Sequence, residues 1–415
     1  MLNAVIIGCG GRGQIFAEYA KQHPEEMKVL AIADKKDFLR EKMKKEYSLD
    51  DKYIFSDYNA PFNAGKIADV VFIATQDNQH IEPALLALQA GYKHLMVEKP
   101  IDRDLKKCIM LSKKADEFGA KLQICHSLRF SPFYRKMKEL IDTGVIGEVK
   151  HINQTEGVGY FHQAHSYVRG DWANEDKSSP MILAKCCHDM DLLVYLTGSH
   201  TARVSSYGLG GFFSEKNAPE GSSARCIDCK ISDKCPYNAV RIYEERPNTT
   251  GRGAVEKEGF SNLEDAMRKG RYGRCVFRCD NDVVDHQVSN IMFENGATAS
   301  LTMTAFTKDC NRVTRVMGTY GEIVGSFNDF EIYVKPFLGN DKKYEVEKIE
   351  SGHGGADTVV VADFLASARG EKEMCTPIDI SIESHAMCEA AEISRRTGKS
   401  IEIADIMSDK EGALL

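Results

Sequence analysis

Short apolar runs alternate with helical patterns along the first 126 residues of this 415-residue chain. The runs carry almost no polar alternation, which is typical of strands buried on both faces of a parallel sheet. They occupy residues 3–7, 29–33, 53–55, 69–74, 94–97 and 121–125. Six strands with helices between them predict a doubly wound parallel sheet. In such sheets ligands bind beyond the carboxyl ends of the strands.

The pattern changes after residue 126. A long strand of mixed alternation is predicted over residues 149–160, and a helix over residues 181–196. Residues 287–304 predict a hairpin, because Asn295-Gly296 suits a type I′ turn. With the later strand and helix patterns, this half is expected to be α+β, with an open, mainly antiparallel sheet and helices on one face.

Two domains are therefore expected. Residues 1–126 form the first, which we interpret as a Rossmann dinucleotide-binding domain, and residues 127–415 form an α+β substrate and oligomerisation domain. Residues 210–285 are a cysteine-rich insertion without regular periodicity. A stretch of that length usually signals function or a metal.

A G-x-G-x-x-G pattern follows the first predicted strand. Gly8 permits the tight turn, Gly10 lets the backbone approach a pyrophosphate, and Gly13 lets the next helix pack against the strand. Asp34 ends the second strand, where a carboxylate would accept hydrogen bonds from a ribose. The candidate phosphate loop comprises Gly8, Gly10, Gly11, Arg12 and Gly13. The alternative is a glycine-rich turn that binds no ligand.

Polar residues end two other predicted strands on the same rim of the sheet. Thr75 and Asn78 follow the fourth strand, and His80 opens the next helix. Glu98 and Lys99 follow the fifth. We expect all five to border the cofactor.

Charge and composition narrow the class of protein. The net charge of -7 gives no electrostatic reason to expect nucleic acid or an anionic membrane as a partner. The first strand leaves no room for a signal peptide, and no apolar run reaches the length of a membrane span. We expect a soluble cytoplasmic protein with a small-molecule substrate. In such a setting the thirteen cysteines are not expected to form disulfides.

Three motifs together resemble the Gfo/Idh/MocA oxidoreductases, the family of glucose–fructose oxidoreductase and inositol dehydrogenase. They are the glycine loop at residues 8–13, Glu98-Lys99-Pro100, and His188-Asp189-Met190-Asp191. The resemblance covers nearly the whole chain. It implies NAD(P)-dependent oxidation or reduction of a ring hydroxyl in a sugar, glycoside or cyclitol. It also implies a homo-oligomer, a dimer or a tetramer, formed through the second sheet.

One position departs from the family pattern. Members often carry an aspartate four residues before the histidine, where this chain has Ala184. Lys185 is a candidate to replace the lost contact. The surrounding sequence resembles a subgroup with a cysteine cluster, some of whose members oxidise the 3-hydroxyl of glycosides. We therefore favour glycosides over free inositol.

Alcohol oxidation needs a hydride acceptor and a base that takes the hydroxyl proton. His188 suits the base, because an ordinary histidine pKa is about 6.5. Lys99 would hydrogen-bond the reacting oxygen, and would itself be the base if a dry site lowered its pKa. Without the motifs, a surface lysine and a helix-capping histidine would be the simpler interpretation. Pro100 is expected to fix the Lys99 loop, and a cis bond is one way to do so.

Several further residues are substrate candidates. Trp172, the only tryptophan, can stack on a pyranose face, Arg169 offers a fork of donors, and Tyr167 lies in the same segment. The alternative for these is a structural role. His286 is also a candidate, and the weaker ones are His126, Arg129, His165 and Asp189.

The cofactor preference follows from charge. Asp34 repels a 2′-phosphate and favours NAD, whereas Lys35 and Lys36 could accept the phosphate of NADP. We favour NAD.

Four cysteines form a second constellation. Cys226-x2-Cys229-x5-Cys235 is followed by Cys275, and four thiolates fit tetrahedral zinc. Structural zinc is the expectation, with Cys279 as an alternative fourth ligand. Iron–sulfur ligation and a set of free thiols remain alternatives.

The rival functions are of several kinds. Within the family they are an inositol or cyclitol dehydrogenase, a reductase, and an enzyme that retains and recycles its NAD, including one that cleaves glycosides. Outside enzymes they are a non-catalytic dinucleotide-binding regulator and an oligomeric scaffold.

Overall fold

The computed structural model describes residues 1–63, 65–349 and 352–408. Within these residues a six-stranded parallel sheet has the order β3-β2-β1-β4-β5-β6. Its strands are β1 Leu2–Ile7, β2 Met27–Ala33, β3 Ile54–Phe55, β4 Val70–Ile73, β5 His94–Val97 and β6 Lys121–Ile124. The connecting helices are α1 Gly11–Gln22, α2 Asp37–Tyr47, α3 Ile81–Gln89 and α4 Leu105–Glu117. The predicted doubly wound sheet is confirmed.

A second sheet follows, with the order β14-β13-β12-β11-β7-β10-β9-β8-β15. Only its β7–β10 pair is parallel among the described strands, so the expectation of a mainly antiparallel sheet is also confirmed. The strands are β7 Val149–Gly157, β8 Thr201–Leu209, β9 His286–Phe293, β10 Thr298–Thr304, β11 Asn311–Gly318, β12 Gly321–Ser326, β13 Glu331–Pro336, β14 Lys342–Glu345 and β15 Ile401–Glu402.

Helices cover one face of this second sheet. Buried and exposed residues alternate strictly along β9, because successive side chains point to opposite faces. Gln287, on the covered face, donates to Glu392 of the long C-terminal helix. The helices after residue 126 are α5 Pro132–Asp142, α6 Tyr160–His162, α7 Met181–Thr197, α8 Ala239–Glu244, α9 Arg252–Glu256, α10 Leu263–Lys269, α11 Ala356–Ala368, α12 Ile378–Thr397 and α13 Ile403–Met407.

Helix α11 returns to the first sheet. Phe364 packs edge-to-face on Phe72 of β4, with ring centroids 5.2 Å apart, and Val360 lies in the same core. The parallel sheet is therefore covered partly by a helix from far along the chain. This helix brings Asp357 and the preceding His353 towards the cofactor rim.

Two local expectations need correction. Asn295 does not have the positive φ that a type I′ turn requires, whereas Gly296 has a φ of 81°. The amide of Gly296 donates to Phe293, so the hairpin has a three-residue loop that ends in a left-handed glycine. The segment 210–285 is not irregular throughout. It contains α8, α9 and α10 and buries its own apolar cluster around Tyr243, Tyr272 and Phe277.

No helix of the described residues combines the length and apolar character needed to cross a membrane.

Candidate active site at the rim of the parallel sheet

The glycine loop joins β1 to α1 in the geometry expected of a phosphate cradle. Gly8 has a φ of +94°, and a Cβ on Gly13 would lie 1.8 Å from the carbonyl oxygen of Gly8. The helix thus approaches the strand as closely as only glycine allows. A Cβ on Gly10 or Gly11 would meet nothing within 4 Å. That open space adjoins the first turn of α1, which no side chain caps. The residues present fit a bound diphosphate.

Asp34 lies beside this loop at the end of β2. Its carboxylate accepts hydrogen bonds from the amides of Cys9, at 2.7 Å, and Lys36, at 2.8 Å. These bonds fix the carboxylate next to the glycine loop. Each oxygen keeps a lone pair for a ribose hydroxyl.

The side chain of Arg12 is held by two carboxylates and is not free to contact a phosphate. Its guanidinium pairs with Glu98 at 2.5 Å and with Asp357 of α11 at 2.9 Å. Burial raises the pKa of Asp357, but His353 and Arg12 outweigh burial and hold that pKa well below its ordinary value. The network ties α1, the end of β5 and α11 together, so Glu98 and Arg12 shape the rim as an ion pair.

The loop after β4 is also fixed. Thr75 donates through its hydroxyl to Gln79, and the buried ring of His80 lies between the carbonyl oxygens of Thr75 and Pro100. His80 therefore joins the ends of β4 and β5. The buried side-chain oxygen of Asn78 has no hydrogen-bond partner within the described residues, which leaves it available to a ligand.

Lys99 and His188 come together across the two sheets. The Lys99 amine donates to the carbonyl oxygen of Ala184, at 2.7 Å. Ala184 lies one turn before His188 on α7, so the amine contacts this helix one turn away from the histidine. The Lys99–Pro100 bond is cis. Position 184, where family members often carry an aspartate, therefore contacts Lys99 through its backbone carbonyl oxygen.

His188 is buried, and its Nδ1 has no hydrogen-bond partner in the described part of the chain. The rings of His126 and His353 lie 5.7 and 5.6 Å from it. Burial, followed by Lys99 and His353, holds the pKa of His188 well below its ordinary value. The imidazole is therefore neutral near pH 7 and can accept a proton.

Lys185, which is partly buried on α7, belongs to a cluster of charged residues around Glu156. Its amine lies 3.2 Å from Glu156, which also pairs with Arg312 at 2.9 Å. Arg312 in turn donates to Asp189, and Asp191 pairs with Arg129 at 2.7 Å. The two aspartates of the His188 motif thus anchor the helix that carries the histidine.

Trp172 reaches the rim of the parallel sheet. Its indole nitrogen donates to Asp77, which follows β4, at 3.0 and 3.1 Å. Asp77 also accepts from Ser178 and Ser179. Tyr167 is buried beside the indole, with ring centroids 6.3 Å apart. It belongs to a π-helical turn at residues 163–168.

Two substrate candidates lie elsewhere. The guanidinium of Arg169 is fully buried in the cysteine-rich segment and donates to Arg274, Tyr237 and Cys226. It is not brought to Lys99 and His188. His286 is half-exposed on the open face of the second sheet and contacts Asp285 at 2.6 Å. Strand alternation places it opposite the helices, away from α7.

The four predicted metal-binding cysteines are brought together. Cys226, Cys229, Cys235 and Cys275 line one small cavity. A single zinc ion is not supported, because it would hold thiolates about 2.3 Å from its centre and so about 3.8 Å from each other. Within the described residues, no three of these sulfurs lie mutually within 4.8 Å.

Sequence reasoning missed Asp357 and His353, which reach the rim from a segment that carries no motif. Asp77 belongs to the polar turn after β4, which the sequence placed on the rim. No motif in the sequence indicated that α11 would bring Asp357 to the same place.

Comparisons with known proteins match both halves of the chain. Residues 2–126 match the NAD-binding Rossmann fold of the Gfo/Idh/MocA oxidoreductase family, and residues 138–403 match the family's C-terminal alpha/beta domain. YteT of Bacillus subtilis, named as an oxidoreductase, is 24% identical over 312 residues, 72% of each chain.

Two further comparisons concern a dehydrogenase with a named substrate and a solved structure. An inositol 2-dehydrogenase/D-chiro-inositol 3-dehydrogenase of Lactiplantibacillus plantarum is 27% identical over 183 residues, 43% of this chain and 45% of the relative. The crystal structure of an Agrobacterium radiobacter oxidoreductase, in complex with NAD+, L-tartaric acid and magnesium, aligns with a TM-score of 0.72 at 15% identity. That alignment covers 98% of this chain and 99% of the other.

Proposed function

Because the chain belongs to the Gfo/Idh/MocA oxidoreductase family, we propose that it is an NAD(P)-dependent dehydrogenase acting on a secondary ring hydroxyl, at C3, of a sugar or glycoside. One observation carries the proposal. The Lys99 amine lies against α7 one turn before a buried, neutral His188, at the rim that carries the glycine loop.

In this proposal residues 1–126 bind the dinucleotide and residues 127–415 bind the substrate. The amides at the start of α1 hold the diphosphate, and Asp34 accepts from the adenosine ribose. Thr75, Asn78, His80 and Glu98 shape the space beyond. Asn78 contributes directly, through its unpartnered oxygen.

The bound nicotinamide would accept a hydride from the carbon that carries the hydroxyl. Lys99 donates a hydrogen bond to the substrate oxygen and stabilises its developing negative charge. His188 takes the hydroxyl proton on a ring nitrogen, for which its lowered pKa keeps it unprotonated. The burial of His188 keeps water away from the imidazole during this step.

The substrate would lie between this pair and Trp172. The indole, held by Asp77, offers a flat face to a pyranose, and Tyr167 supports the indole. Lys185, half-buried beside Glu156, is within the same helix and is proposed to contact a further hydroxyl.

NAD is the proposed cofactor rather than NADP. The carboxylate of Asp34 would repel a 2′-phosphate at the ribose it faces. Lys35 and Lys36 are the residues through which NADP would be accepted if the preference were reversed.

An inositol or cyclitol dehydrogenase is the second candidate, favoured by the named activity of the Lactiplantibacillus plantarum relative.

The open face of the second sheet exposes Tyr207, Leu209, Met292 and Phe306, which is consistent with a homo-oligomer.

The test is a substrate screen with purified protein, NAD, and matched panels of glycosides and inositols, followed by the absorbance of reduced nicotinamide. Reduction with one class, lost in Lys99→Ala and retained in Lys93→Ala at the opposite end of β5, supports the proposal. A nicotinamide band present before any addition, and altered by 3-keto sugars, would indicate a retained cofactor. NAD binding without any hydride transfer would favour the regulator instead.

A further inference from the structure

The cysteine-rich segment holds a cavity that the proposed dehydrogenase chemistry does not use. Cys226, Cys229, Cys235 and Cys275 all line it, together with apolar neighbours such as Ile231 and Phe277. The four cysteines come from three separate turns, which the fold of the segment brings to one point.

The spacing of the sulfurs decides what they can bind. No three of them lie mutually within 4.8 Å in the described structure, so they do not surround one ion. The cavity that they line instead has room for a water-sized sphere. A polynuclear cluster needs this wider arrangement, because each thiolate then bonds a different iron atom.

Arg169 gives an independent indication of negative charge. Its guanidinium is fully buried, and a nitrogen lies 3.5 Å from the sulfur of Cys226. Its other acceptors are backbone carbonyls, and it forms no salt bridge with a described carboxylate. A buried cation without a counter-charge is costly. Four thiolates around a cluster would supply that charge.

We propose that Cys226, Cys229, Cys235 and Cys275 bind an iron–sulfur cluster of the [4Fe–4S] type. The cluster joins three turns of the segment at residues 210–285 and neutralises Arg169. Cys279 is not a ligand, because its thiol donates to the carbonyl oxygen of Cys275, 3.3 Å away, and it does not line the cavity.

The test is anaerobic purification of the whole chain, followed by metal and acid-labile sulfide analysis, visible absorbance, and electron paramagnetic resonance after reduction with dithionite. We expect about four iron atoms and four sulfide ions per chain. Reconstitution of metal-stripped protein with sulfide and equal amounts of ferrous and ferric iron should restore the same signals.

Variants locate the site. Cys226→Ser and Cys275→Ser should each lose most of the cluster, whereas Cys279→Ser and Cys310→Ser should keep it. If the first two variants do not fold, the composition and spectra of the native protein decide. One zinc per chain, a two-iron spectrum, or no metal after reconstitution would overturn the proposal. None of these readouts depends on dehydrogenase activity, so failure here would leave the proposed function untouched.

Discussion

The Lys99 amine donates to the carbonyl oxygen of Ala184 across a distance of 2.7 Å, and so joins the end of β5 to the helix that carries His188. Position 184 carries alanine instead of the aspartate that family members often have, yet its carbonyl oxygen accepts a hydrogen bond from Lys99. The contact holds the amine in the cleft, and no carboxylate of the described residues pairs with it. The charge therefore remains available to a substrate oxygen.

Removal of that amine is expected to abolish chemistry rather than cofactor binding. Lys99→Ala should lower kcat by about 10²- to 10³-fold, because a preorganised donor to the reacting oxygen is lost. The NAD affinity, measured by calorimetry, should change little, since the diphosphate cradle is formed by α1. The matched control is Lys93→Ala, an exposed lysine just before β5. Equal loss in both variants would contradict the assignment.

Alanine substitutions at two glycines of the loop should have different effects on stability and on NAD binding. Gly13→Ala places a methyl group 1.8 Å from the Gly8 carbonyl position, so it should lower the melting temperature and weaken NAD binding together. Gly10→Ala meets no protein atom within 4 Å. It should keep the melting temperature and weaken only NAD binding, because the added methyl group fills the cofactor's space. Normal NAD affinity in Gly10→Ala would place the diphosphate elsewhere.

Asp34 should determine the cofactor preference. Asp34→Ser removes the charge that faces the 2′ position and leaves a hydroxyl that can still accept from the Cys9 amide. We expect the ratio of kcat/KM for NADP to that for NAD to rise about tenfold or more. Steady-state kinetics with both cofactors measure it. An unchanged ratio would mean that Asp34 only supports the loop.

Buried histidines should make the fold sensitive to acid. Burial lowers the pKa of His165 and of His385 to about 3, against an ordinary value of about 6.5. Between these values the unfolded chain binds protons that the folded chain does not. The free energy of unfolding should therefore fall with falling pH, by up to about 1.4 kcal/mol per pH unit for each histidine.

Urea unfolding at several pH values below about 6.5 checks this expectation. His165→Phe should flatten the slope, since the ring can still stack on Tyr272 without a proton site. His200→Gln is the contrast. The hydrogen bond that this exposed histidine donates to Glu383 raises its pKa, so removal of the histidine should not flatten the slope. A pH-independent stability would show that these rings are hydrated.

The sequence by itself determined the parallel sheet, the glycine loop and the placement of Asp34, Glu98 and Lys99 on one rim. These follow from local rules, because buried strands have a recognisable composition and parallel strands share a carboxyl edge. The family motifs then indicated the chemistry of Lys99 and His188.

Only the tertiary structure decided which distant residues meet at that rim. Asp357 and His353 arrive with α11, and Asp77 meets Trp172 about a hundred residues later in the chain. Arg169 and Trp172 are three residues apart in the sequence, yet one enters the cysteine segment and the other the rim. The direction that each of these side chains takes depends on long-range packing, which hydrophobic periodicity does not reveal. The spacing of four cysteines likewise predicted a metal, whereas the separation of their sulfurs in the described structure argues against a single ion.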